Sequence, residues 1–164
     1  MPEVISIKPE VRIIYFRFEK DFIENGIRCI PMIVRFKLDA VGIKLKLREW
    51  AKFNAKERKQ LATTPCNTAI EIYNYRTYLQ QLVKTYTGSA ASELIVDENP
   101  AWTIIDAVNE ELQIHADLYG WKIEQKQWQS LSELQRFALL KLCREGHENK
   151  NFPLAMREFN LINS

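Results

Sequence analysis

Apolar residues recur along most of this chain at the spacing of a helix face. Ile30, Val34, Leu38 and Val41 form one stripe, and Gly42 falls where a left-handed cap would end it. Ile72, Tyr75, Leu79, Leu82 and Tyr86 form a longer stripe closed by Gly88, and Ile105, Val108, Leu112, His115 and Tyr119 form another that stops at Gly120. Helix starts are written as clearly. Asn54 with Glu57, Thr68 with Glu71 and Ser132 with Gln135 are capping boxes, in which the cap side chain serves the amide three residues on and the acid or amide reaches back. Asn99 with Pro100 is predicted to open the third striped helix, and Asn151 with Pro153 a last one running through Phe159. Ile43 to Leu45 reads as an extended connector into a short helix around Leu47 to Phe53, and residues 89–99 as a polar linker. One segment departs from the helical period. In residues 11–22, Phe16, Phe18 and Phe22 alternate with Arg17, Glu19 and Asp21, which predicts a short N-terminal extended arm. The fold class is therefore all-α.

The helical pattern is written twice, 78 residues apart. Asp39, Gly42, Lys44, Leu45, Trp50, Phe53, Asn54, Glu57, Arg58 and Leu61 are matched in register by Asp117, Gly120, Lys122, Ile123, Trp128, Leu131, Ser132, Gln135, Arg136 and Leu139. Self-similarity at a fixed offset reports a repeated supersecondary unit. Units over about residues 30–86 and 103–160 are expected to pack around a pseudo-twofold axis in one domain spanning 1–164, with one shared core. Trp50 and Trp128 would fill the helix junctions, Gly42 and Gly120 would end the preceding helices, and Arg58 and Arg136 would bridge carboxylates or helix carbonyls.

Composition narrows the class. The 164 residues, 46% hydrophobic and 27% charged, suit one soluble globular domain. The longest apolar runs fall far short of a membrane span. The first residues lack the basic start and apolar run of an export signal, and Cys29, Cys66 and Cys143 are odd in number and widely spaced, so a cytoplasmic protein with reduced thiols is expected. The net charge of +2 hides a split. Residues 35–59 carry nine Lys and Arg against Asp39, Glu49 and Glu57, a balance of +6, whereas seven acids and no Lys or Arg lie between Lys84 and Lys122. Such a division is solved either by docking the halves together or by offering each to a partner.

Candidate chemistry is sparse. The five glycines are isolated, so no phosphate cradle is present, and His147-Glu148 lacks the second histidine of a zinc peptidase. Cys29, Cys66, Cys143, His115 and His147 are not grouped as structural zinc or iron–sulfur sites require, so no metal or cofactor is expected. Cys143, beside Leu139 and Leu142, reads as core, and His115 as a hydrogen-bonded core residue. No Ser or Cys sits on a glycine-flanked nucleophile turn, and a non-enzymatic protein is expected. The basic run suggests a helical nucleic-acid-binding module, but its interleaved acids make that the alternative, because counterion-driven binding needs a coherent basic face.

Arg28-Cys29-Ile30-Pro31-Met32, Val34-Arg35-Phe36-Lys37-Leu38-Asp39, Gly42-Ile43-Lys44-Leu45 and Arg48-x-Trp50 belong together with Pro65-Cys66-x-Thr68 and Asn99-Pro100-Ala101-Trp102. Gln135-Arg136-Phe137-Ala138-Leu139 and Gly146-His147-Glu148-Asn149-x-Asn151-Phe152 complete the set. Read together, they make the chain resemble the nitrate reductase-associated protein family, known mainly from cyanobacteria, over roughly residues 16–160. The resemblance implies an accessory or maturation factor for a cytoplasmic, molybdenum-dependent assimilatory nitrate reductase, with the reductase catalytic subunit as partner. That enzyme carries a molybdopterin cofactor and an iron–sulfur cluster and takes electrons from ferredoxin. The family supplies no catalytic residue. Partner contacts are expected from the basic region, Arg35, Lys37, Arg48 and Lys52, and from the loop residues His147, Glu148, Asn149 and Asn151, whose polar side chains have no core role.

Overall fold

The computed structural model describes residues 15–144 and 150–163. Its elements are α1 (Arg17–Glu24), α2 (Met32–Val41), β1 (Ile43–Lys44), α3 (Leu47–Trp50), α4 (Ala55–Thr63), α5 (Ala69–Thr87), β2 (Ser92–Glu93), a 3-10 turn (Ala101–Thr103), α6 (Glu110–Asp117), α7 (Gln125–Ser130), α8 (Glu133–Arg144) and α9 (Asn151–Glu158). Among the described residues the fold is all-α apart from one small antiparallel pair, in which Ile43 faces Glu93 and Lys44 faces Ser92. β2 lies inside the stretch that reads as a polar linker.

Local chemistry sets the helix starts. Asn54 accepts the Glu57 amide (2.8 Å), Thr68 accepts the Glu71 amide (3.2 Å) and Ser132 accepts the Gln135 amide (3.1 Å); in each case the partner side chain returns to the cap amide. Gly42 ends α2 with φ +72°. The starts of α2 and α6, α3 and α7, and α4 and α8 keep the sequence offset: 110 − 32, 125 − 47 and 133 − 55 are all 78.

Three expectations are corrected. Residues 17–24 form α1 and not an extended arm; residues 11–14 lie outside the described residues. Contacts from outside its own sequence help to fix the helix: the Glu158 carboxylate on α9 accepts the Arg17 and Phe18 amides (3.1 Å each), and Phe16 and Phe18 pack on Phe159 at 5.0 and 6.2 Å. The helix expected from Pro100 to Tyr119 is broken. Ile104 and Ile105 are exposed, and the Ile104 carbonyl accepts Trp128 Nε1 (2.8 Å) instead of a helical amide. β-Branched Ile104 and Ile105 favour that extended course, and Asn109, accepting the Leu112 amide (3.1 Å), starts α6 afresh. Among the described residues, finally, the buried apolar side chains fall into two clusters rather than one shared core. Val34, Leu38, Ile43, Trp50, Phe53, Leu61, Tyr75 and Leu79 build the first. Phe16, Phe18, Leu112, Trp128, Phe137, Leu139, Phe152 and Phe159 belong to the second. α2 serves both, because Met32 and Phe36 lie on its face toward the second cluster.

Candidate functional site

The basic region divides in the structure. Arg48 and Lys52 are exposed, and Lys46, Lys56 and Lys59 join them on the outer side of α3 and α4. The interleaved acids are turned onto helix starts: Glu49 accepts the Lys46 amide (2.8 Å), while Glu57 accepts the Asn54 amide (2.9 Å) and the Tyr86 hydroxyl (2.6 Å). Cations therefore outnumber acids among the exposed side chains of this region.

Lys37 is not on that face. It is 9% exposed, and its Nζ donates to the carbonyls of Ala62 (2.8 Å) and Thr64 (2.6 Å), which end α4. A helix C-terminus leaves such carbonyls unpaired and carries partial negative charge, so a buried cation there is a structural fastening between α2 and α4. Burial lowers the Lys37 pKa and raises that of Cys66 nearby to about 11. The Arg58 and Arg136 guanidiniums meet carbonyls that lie just before their own helices, donating to Phe53 O and Leu131 O, the third residue beyond each tryptophan. Arg136 further donates to Trp102 O (2.6 Å) and Trp128 O (3.4 Å). Trp50 and Trp128 are buried. His115 packs on Phe152 at 4.5 Å, and its buried Nε2 has no hydrogen-bond partner among the described residues, unlike the hydrogen-bonded histidine expected there.

Arg35 and Asn151, far apart in sequence, come together. With Cys29, Glu19 and Met32 they line a hollow of about 170 Å³ between α1, α2 and the start of α9. Glu19 is 3% exposed; its carboxylate accepts the Phe16 amide (3.3 Å) and the Met32 amide (3.1 Å), so one side chain serves the starts of α1 and α2. Burial pushes its pKa up to about 7, partly opposed by those two amides and by Arg35, and helped by Glu158. His147, Glu148 and Asn149 lie outside the described residues, between α8 and α9.

A larger groove, about 590 Å³, runs between α2, the 94–98 segment, the 3-10 turn and α8. Phe36 and Trp102 are among its apolar residues, and Leu94, Ile95 and Val96 line it from the linker. Sequence reasoning missed it. Its signal is the run Leu94-Ile95-Val96 within a stretch otherwise polar, followed by Asp97 and Glu98. Among the described residues no three His, Cys, Asp or Glu side chains group as a metal cage, and no helix is long and apolar enough to cross a membrane.

Among the described residues, fold and surfaces together define a helical protein with a set of exposed cations around α3 and α4 and an apolar groove edged with acids. The family model for the conserved nitrate reductase-associated protein matches residues 15–159, and the chain belongs to that family. No curated protein and no solved structure matches it.

Proposed function

We propose that this protein is a non-enzymatic accessory factor that binds the catalytic subunit of a cytoplasmic, molybdenum-dependent assimilatory nitrate reductase and assists its maturation. Membership of a nitrate reductase-associated family over residues 15–159 carries the reading. The surface assigned to the partner combines the exposed cations Arg48 and Lys52 with the hollow that joins Arg35 to Asn151; His147, Glu148 and Asn149 adjoin it in sequence. A maturation factor binds its client most tightly before the cofactors are in place. Binding is therefore measured between this chain and the purified catalytic subunit, with and without molybdenum cofactor and cluster. Tighter binding to the empty subunit is expected; equal or weaker binding would reject maturation as the assisted step.

The lean of Glu49 and Glu57 onto helix starts favours one second reading, nucleic-acid binding by the α3–α4 face. Titration with nonspecific duplex DNA decides it, since such binding weakens steeply with salt.

A further inference from the structure

The apolar wall of the large groove is held in place rather than loosely exposed. Gln80 on α5 brackets Ala91, accepting its amide (2.8 Å) and donating to its carbonyl (3.2 Å). Arg76 donates to Val41 O (2.6 Å) and pairs with Glu93, and the Leu94 amide donates to Gly42 O (2.8 Å). Gly42 permits the approach: a Cβ there would stand 2.8 Å from the Leu94 carbonyl oxygen and 3.0 Å from the Val96 side chain. So anchored, the chain displays Leu94, Val96 and a fully exposed (100%) Ile95 at the mouth of a cavity containing Phe36 and Trp102. Contiguous apolar surface on a fixed scaffold marks a contact site.

Among the described residues that line it the charge is one-sided. Lys141, the cation there, is already paired with Asp39 at 3.3 Å. Asp97, Glu98 and Glu133 then leave the lining acidic. We propose that this groove receives a segment of another protein in which an aliphatic or aromatic side chain is flanked by lysine or arginine. The apolar side chain enters between Ile95 and the Phe36–Trp102 side, and the flanking cations face Asp97, Glu98 and Glu133. The proposal rests on reading the chain as a partner-binding protein, and it adds a second contact of opposite charge to the exposed cations around α3 and α4.

The test selects peptides from a displayed library of random sequences about a dozen residues long, using the full chain as bait, and measures the affinity of synthesised winners. The expected winners combine an apolar residue with flanking Lys or Arg. Ile95→Asp, at a fully exposed position, should weaken their binding by at least roughly tenfold. Asp97→Asn with Glu98→Gln should weaken it and flatten its salt dependence; the asparagine oxygen can still accept the Asn99 amide that Asp97 takes (3.0 Å). Both variants should keep the parental melting curve. Winners that are acidic or uncharged, the absence of winners, or winners indifferent to Ile95→Asp would overturn the proposal. Self-association of the chain abolished by Ile95→Asp would also overturn it, by making the occupant a second copy. No reductase is present in this assay, so its failure leaves the accessory reading standing, and failure of that reading leaves the peptide result intact.

Discussion

Replacing Glu19 by glutamine should change how stability depends on pH, by an amount the structure sets. The carboxyl is 3% exposed and has a pKa of about 7, against about 4.5 in the unfolded chain. Because the folded value is the higher one, the folded state holds the proton more tightly. The resulting stability is fully present below about pH 4.5 and is lost as pH rises through 7. Each tenfold difference in proton affinity between the folded and unfolded chains is worth about 1.4 kcal/mol, so between pH 5 and 8 this one group should withdraw about 2–3 kcal/mol. Glutamine cannot ionise, but its amide nitrogen replaces one oxygen that accepts either the Phe16 or the Met32 amide, costing about 1–3 kcal/mol at every pH. Urea unfolding of both proteins at pH 5, 6, 7 and 8, followed by circular dichroism, isolates this contribution, since the other titrating groups cancel in the difference. The wild type should be the more stable at pH 5 and should lose its advantage, or fall behind, by pH 8. A difference that stays constant across this range would refute the buried-carboxyl account.

Truncating Trp50 or Trp128 to alanine should each cost about 3–5 kcal/mol in urea unfolding, because both indoles are buried in their clusters. Lys37→Glu should cost at least about 3 kcal/mol by placing a carboxylate against the Ala62 and Thr64 carbonyls, whereas exposed Lys52→Glu should stay within about 0.5 kcal/mol. Gly42→Ala and Gly120→Ala both impose a positive φ on alanine, but only the first meets the Leu94 carbonyl, so melting should show a cost of about 1 kcal/mol at Gly120 and clearly more at Gly42. Cys66 and Cys143, raised by burial to pKa values of about 11 and 12, should resist iodoacetamide at pH 8 in the folded protein and react once it is unfolded in urea.

What is legible in the sequence is local. Asn54, Thr68 and Ser132 announce their helices because a cap and its partner lie three residues apart, and Gly42 and Gly88 end theirs by a conformation few other residues adopt. What is not legible depends on packing between distant segments. Phe16, Phe18 and Phe22 fit a two-residue period, and Phe18 and Phe22 also fit a helical one; Glu158, some 140 residues on, helps to decide between them by holding the α1 amides. Lys37 looks like any lysine in a basic run until α4 is laid beside α2 and its last carbonyls need a donor. The groove exists only because α8 and the 3-10 turn stand against α2, so the sequence shows its apolar wall and not its depth. Arg35, by contrast, stands out in the sequence as part of the basic run and Asn151 as a loop residue with no core role, and folding places them around one hollow.

The most direct test of the central claim is to produce the nitrate reductase catalytic subunit with and without this protein and to measure enzyme activity and cofactor content per unit of subunit. The accessory reading expects active, cofactor-loaded enzyme only with the protein present, and reduced activity at unchanged subunit amount when His147, Glu148 and Asn149 are replaced by alanine. Full activity in the complete absence of the protein would contradict it.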